Sequence, residues 1–99
     1  MSEKASLIRD RKVVLATDHI LEIRIWLLPK PTDERPHGLK YSLFFGRPGE
    51  RIVGYDNELG KGDHRHHRTR QQPYAFSTIE TLIADFEADV RKEIEKWLK

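Results

Sequence analysis

The chain has 99 residues, of which 37% are hydrophobic and 34% charged, with a net charge of +2 and no cysteine. This length supports one hydrophobic core, and the composition is far from that of disordered chains. The absence of cysteine excludes disulfides and thiolate zinc sites, and no apolar run approaches the ~20 residues of a membrane span. We therefore predict a single domain over residues 1–99. Without an apolar leader near the N-terminus, it is expected in the cytoplasm and away from membranes.

Residues 1–58 predict a β-rich region. Short apolar runs at 5–9 and 12–16 indicate a hairpin or a bent strand. Residues 20–27 alternate apolar and polar side chains, which is typical of a half-buried strand. A loop with three prolines follows at 29–38, and residues 39–46 and 51–55 predict a hairpin across a Pro-Gly turn.

Residues 59–76 predict a loop that is rich in Gly, His and Arg. Between residues 60 and 72 a single acid, Asp63, stands among three histidines and four bases, which are Lys61, Arg65, Arg68 and Arg70. Such a cluster repels itself, and an anionic ligand would relieve the repulsion. Gly60 and Gly62 can expose backbone N–H groups, so phosphate is the expected ligand.

Residues 77–99 predict an amphipathic helix. Ser77 and Glu80 have the spacing of a capping box, which places the helix start at Thr78. Apolar residues then recur at helical spacing from Ile79 to Leu98. The predicted fold class is therefore α+β, with an antiparallel sheet of about 4–6 strands packed against a C-terminal helix.

The segment 63–67, Asp-His-Arg-His-His, allows three interpretations. The first is acid–base cleavage of RNA, because histidine, tyrosine and cationic side chains together supply a base, an acid and phosphate contacts. The second is a divalent metal site, because His64 and His66 would share a face of an extended segment and either Asp63 or Asp56 could join them. The third is a polar turn without chemistry, which satisfies its own backbone.

A longer string carries a family resemblance. Residues 55–66 read Tyr-Asp-Asn-x-x-Gly-Lys-Gly-Asp-His-Arg-His, after Leu-Lys-Tyr at 39–41 and before Tyr74 and a Leu-Ile-Ala-Asp-Phe helix segment. This arrangement resembles the TumE family of toxin–antitoxin proteins. The resemblance implies the toxin of a small prokaryotic operon and a cognate antitoxin partner, which would typically carry a DNA-binding domain.

Our hypothesis from the sequence is a toxin that cleaves RNA without a metal or other cofactor. His64 or His66 would be the general base and the other histidine or Tyr74 the acid. The residues expected to contact phosphate, or to stabilise the transition state, are Lys61, Arg65, Arg68 and Arg70, with Gly60 and Gly62 beside them. His67 lies outside the string and is expected to matter less.

Two other classes of function remain open on the sequence. The same basic segment would serve a non-catalytic module that binds RNA, a ribosome or an acidic protein. A metal-dependent nuclease or other hydrolase would instead use Asp63, His64 and His66 as ligands. Exposed sheet edges would also allow a homodimer.

Overall fold

The computed structural model describes residues 4–15, 17–58, 60 and 62–98. Six strands and one helix follow one another in the described chain: β1 (Ser6–Val14), β2 (Ile20–Leu27), β3 (Leu39–Arg47), β4 (Glu50–Asp56), β5 (His64–His67), β6 (Arg70–Pro73) and α1 (Ile79–Trp97). The strands form one antiparallel sheet in chain order, so each strand pairs with its sequence neighbour. The predicted α+β fold is confirmed.

The core lies between α1 and one face of the sheet. Strand alternation sends Ile23, Tyr41, Leu43, Phe45 and Tyr55 to that face, and all five are buried. The helix contributes the buried side chains Leu82, Phe86 and Val90, and Ile79 and Ile83 pack at its margin. The apolar stripe of α1 therefore docks on the sheet as predicted, except at its end, where Leu98 is 81% exposed.

The structure decides between two predicted alternatives at the N-terminus and moves the predicted start of the helix. The N-terminal segment is a single bent strand, β1, and not a hairpin, with a register shift between Leu7 and Arg9 just before the predicted break. The helix cap is Thr78, whose hydroxyl accepts from the backbone N–H of Thr81, so α1 begins at Ile79. The predicted Ser77–Glu80 capping box is displaced by one residue, because Thr78 offers an equivalent oxygen one position later.

The prediction of a loop throughout residues 59–76 was wrong, because this segment contains β5 and β6. Both strands have only four residues, and every residue of β6 is exposed, so neither shows hydrophobic alternation. Their two-residue turn, Arg68–Thr69, has no glycine or asparagine, although Arg68 adopts a positive φ of 56°. Without the usual turn residues, the hairpin has no sequence signal.

Among the described residues, no helix has the length and apolar character needed to cross a membrane.

Candidate active site

The two faces of the sheet differ in what covers them. Tyr55 contacts Phe86 and Asp89, and Arg11 reaches Glu87, so α1 lies over the face that carries these strand residues. Neighbouring positions on each strand point the other way. We call this second face the open face, because the only helix among the described residues packs on the opposite side.

A polar cluster lies on the open face where β4 and β5 pair. Asp56 is the cross-strand partner of His64, and Gly54 is that of His66, so the Asp56, His64 and His66 side chains project from the same face. Both histidines are buried, at 3% and 7% exposure, and their ring centroids are 4.7 Å apart. His64 and His66 therefore share a face, as predicted, and both lie buried on it.

The contacts of His64 favour a cationic ring next to Asp56. Nδ1 of His64 lies 2.9 Å from the carbonyl oxygen of Gly62, which can only accept, so Nδ1 is the donor. Nε2 lies 2.7 Å from Oδ1 of Asp56. That contact lacks hydrogen-bond geometry, since Oδ1 is buried without a hydrogen-bond partner among the described residues. A protonated ring would instead place a positive charge beside the carboxylate.

The contacts of His66 indicate the opposite protonation state. Its Nδ1 lies 2.9 Å from Nη2 of Arg51, and because a guanidinium only donates, Nδ1 must accept. In the neutral ring the proton is then on Nε2, which lies 3.5 Å from Oδ2 of Asp56. Arg51 therefore holds His66 as a neutral imidazole, beside the His64–Asp56 pair.

Arg51 connects this cluster to solvent. Its side chain is 40% exposed, and Nη1 lies 3.7 Å from Oδ2 of Asp56. The Arg51 side chain passes directly over Gly54, since a Cβ built at that glycine would lie 2.6 Å from Cδ of Arg51. The absence of a side chain at position 54 thus allows the guanidinium to reach His66.

A metal site was one interpretation of the sequence, and the structure shows which acidic residue could join the two histidines as a ligand. Ligand atoms of Asp56, His64 and His66 lie within 4.8 Å of one another, whereas Asp63 instead pairs with His37 at 3.0 Å. His64 has the backbone hydrogen bond that orients a metal ligand. His66 fits less well, because Nε2 carries the proton for as long as Arg51 donates to Nδ1.

The structure does not bring Arg65 and Tyr74 to the two histidines. Both side chains lie on the helix-covered face, where Arg65 contacts Tyr55 and Asp89, and the Tyr74 hydroxyl donates to Asp85 at 2.6 Å. Burial and that hydrogen bond raise the pKa of Tyr74, and the hydrogen bond to Tyr55 raises the pKa of Arg65. The sheet therefore separates these residues from Asp56.

The predicted phosphate contacts are dispersed. Arg68 pairs with Glu93 at 2.6 Å, and exposed Arg70 lines a groove of about 400 Å³ between β6 and α1. The N–H of Gly60 donates to the Glu34 carboxylate at 3.0 Å, while Gly62 uses its carbonyl oxygen. Lys61 lies outside the described residues.

A second polar cluster surrounds Glu93 on α1, and we call it the Glu93 cluster. The Glu93 carboxylate is buried and accepts hydrogen bonds from His67, Arg68 and Lys96. Burial alone would raise the pKa of Glu93, but the three donors outweigh it and lower the pKa to about 2. His67 thus belongs to a contact between the β5–β6 hairpin and the helix.

Arg51 was not among the residues predicted from the sequence, and Asp56 was predicted only as an alternative metal ligand. Arg51 lies beside a predicted turn, where a charged residue is ordinary. Asp56 ends β4 directly opposite His64, and only the β4–β5 register shows that pairing. A prediction of β5 as a strand would have provided the missing signal.

The fold and the cluster define a small α+β protein with a histidine–carboxylate site on an open sheet face. The family model for toxin TumE matches residues 3–94, and the chain belongs to the TumE toxin family. No curated protein and no solved structure matches the chain. Membership of a toxin family implies, in general, an antitoxin partner.

Proposed function

We propose that this toxin cleaves RNA by acid–base catalysis at Arg51, Asp56, His64 and His66. One observation carries the proposal: two adjacent histidines have partners that favour opposite protonation states. A neutral His66 and a protonated His64–Asp56 pair are the two states that a general base and a general acid require.

Arg51 gives this site a route to its substrate. When the exposed guanidinium moves to an RNA phosphate, Nδ1 of His66 loses its donor and becomes available as a base. Nδ1 then takes the proton of a 2′-hydroxyl, whose oxygen attacks the adjacent phosphorus. The bond from phosphorus to the 5′-oxygen breaks, and that oxygen receives the Nε2 proton of a cationic His64, which the Asp56 carboxylate stabilises. Arg51 neutralises charge on the pentavalent phosphorane, and the products are a 2′,3′-cyclic phosphate and a 5′-hydroxyl.

The test compares asparagine variants of three histidines in an RNA cleavage assay. Asparagine retains a polar group at the δ position of His64 and of His66 but removes the ε nitrogen that titrates. His64→Asn and His66→Asn should each lower cleavage by about 10²–10⁴-fold, the usual range for a lost acid–base group. His67→Asn is the matched control on the same strand and should leave most activity.

Three further readouts decide between this mechanism and its alternatives. Circular dichroism must show that each variant is folded, because the histidines are buried. The wild-type rate should have a flank of its pH profile set by histidine ionisation, and a chelator should leave the rate unchanged. Equal, small effects at all three histidines would instead indicate a binding module, and loss of activity with a chelator would indicate a metal-dependent nuclease.

We also propose that the antitoxin, of a DNA-binding type, inhibits by covering Arg51. A guanidinium held against an antitoxin carboxylate would not reach phosphate. Site-directed labelling at position 51 should then be blocked in the complex, and free access there would favour indirect inhibition.

A further inference from the structure

The open face carries aromatic and cationic side chains that lead away from the candidate active site. In one cross-strand row, His66 is followed by Gly54 and then by Phe44. In another row, Trp26 on β2 stands opposite Lys40 on β3. Phe44 and Trp26 are both half-buried, so each ring retains accessible surface on the sheet.

We propose that this face binds single-stranded RNA, with Phe44 and Trp26 as stacking platforms for bases on the way to His66. Two strand spacings separate β5 from β3, which places Phe44 roughly 10 Å from His66. Gly54 lies between Phe44 and His66 in this row and has no side chain. The Arg51 side chain, which passes over Gly54, therefore lies between the Phe44 ring and His66. A nucleotide stacked on Phe44 would have its phosphate near that guanidinium.

Two lysines on this face, Lys40 and Lys12, are placed to contact the phosphates of a polyanion. Arg24 is already paired with Asp10 and Glu22, at 3.5 and 3.7 Å. Lys40 instead lies over the Trp26 ring, 5.1 Å from its centroid, and no carboxylate of the described chain forms an ion pair with it. Lys12 on β1 is exposed and likewise without an ion pair among the described residues. A base that replaced the ammonium over Trp26 would bring a phosphate for Lys40 to bind.

Single-stranded RNA is favoured over a duplex by the same geometry. Bases within a helix already stack on one another, so their faces are closed to Phe44 and Trp26. An open sheet whose aromatic side chains stack unpaired bases is also an established mode of RNA recognition. This inference rests on the proposed function, because the direction of the path is set by the assignment of His66 as the base.

Fluorescence of Trp26 provides a test that does not depend on cleavage. The Trp97→Phe background leaves Trp26 as the only tryptophan, because the chain has two. The probe is a 2′-O-methyl oligoribonucleotide, which lacks the nucleophilic hydroxyl. We expect saturable quenching that weakens with salt, and weaker binding of a duplex with the same sequence.

Substitutions then locate the binding surface. Trp26→Leu and Phe44→Leu keep apolar volume on the sheet and should each weaken affinity by about 5- to 150-fold, the value of one base–aromatic stack. Lys40→Met should weaken affinity and reduce its salt dependence. Trp97→Phe alone changes an aromatic residue on the helix-covered face and should leave affinity unchanged, which is checked with a labelled probe.

The outcomes separate this inference from the proposed mechanism. Quenching without cleavage of ordinary RNA supports the binding face and overturns the catalytic proposal. Cleavage that is insensitive to Trp26→Leu and Phe44→Leu, in folded variants, supports the catalytic site and overturns the binding face. Quenching by the antitoxin but not by RNA assigns the face to the protein partner and also overturns the inference.

Discussion

Two carboxylates in this molecule each lie between histidine and arginine side chains, yet their hydrogen bonds differ. The Glu93 carboxylate accepts hydrogen bonds from His67, Arg68 and Lys96, and each of these groups is a donor in its ordinary protonation state. Asp56 has its Oδ1 beside an Nε2 atom that is a donor only if His64 carries a second proton. The first arrangement is complete as a structural contact, whereas the second depends on a proton that can leave. We infer that proton-dependent contacts, more than the number of charges, distinguish a catalytic cluster here.

The largest expected difference between the two clusters is in activity. Asp56→Asn retains the shape of the side chain but not the negative charge that stabilises a cationic His64, so we expect RNA cleavage to fall by about 10²–10⁴-fold. Glu93→Gln is the matched amide substitution in the other cluster and should cause no comparable loss in the folded protein. Initial rates for both variants test the comparison. A larger loss for Glu93→Gln would move the chemistry to the helix-covered face.

Stability should show the reverse order. Glu93→Gln removes the anion that Arg68 and Lys96 share, and the pKa decrease from 4.5 to about 2 corresponds to about 3 kcal/mol. We therefore expect a loss of about 2–4 kcal/mol in urea unfolding at pH 7, a large part of a small domain's 5–15. Glu95→Gln, at an exposed position of the same helix, should change stability by less than about 0.5 kcal/mol.

The pH dependence of this loss has a definite sign. The pKa of Glu93 is lower in the folded state than in the unfolded state, so its stabilisation is fully present above pH 4.5. That stabilisation is lost as the pH falls from 4.5 towards 2, because the unfolded chain then binds the proton more readily. Unfolding at pH 7, 4.5 and 3 should show the difference between wild type and Glu93→Gln becoming smaller. A constant difference would contradict the charged-pair explanation.

The sequence predicted those parts of the fold where hydrophobic alternation is strong. Strand β2 and helix α1 follow from the spacing of Ile23, Ile25, Leu82 and Phe86, because burial imposes that spacing. Strands β5 and β6 could not be predicted in this way. His64 and His66 are polar although buried, and their burial depends on Asp56 and Arg51 from another strand. The candidate site therefore required the register of β4 and β5.

The smallest expected effect concerns Gly54, which positions Arg51. In Gly54→Ala the new Cβ would lie 2.6 Å from Cδ of Arg51, a flexible side chain that can move away. We expect the free energy of unfolding to change by less than about 1 kcal/mol. Cleavage should fall about tenfold, because the displaced guanidinium loses a charged hydrogen bond to the phosphorane, and such a bond contributes ~1.5 kcal/mol or more.

The control for this prediction is Gly46, on the neighbouring strand. A Cβ there would lie 2.1 Å from the backbone oxygen of Glu50, which cannot move without the β3–β4 hairpin. Gly46→Ala should therefore lower stability, by about 1–3 kcal/mol. Imidazole ¹⁵N spectra of Gly54→Ala should show that His66 no longer holds one tautomer, since Arg51 no longer donates to Nδ1. An unchanged tautomer with unchanged cleavage would mean that Arg51 does not set the protonation of His66, and the base would have to be sought elsewhere on the open face.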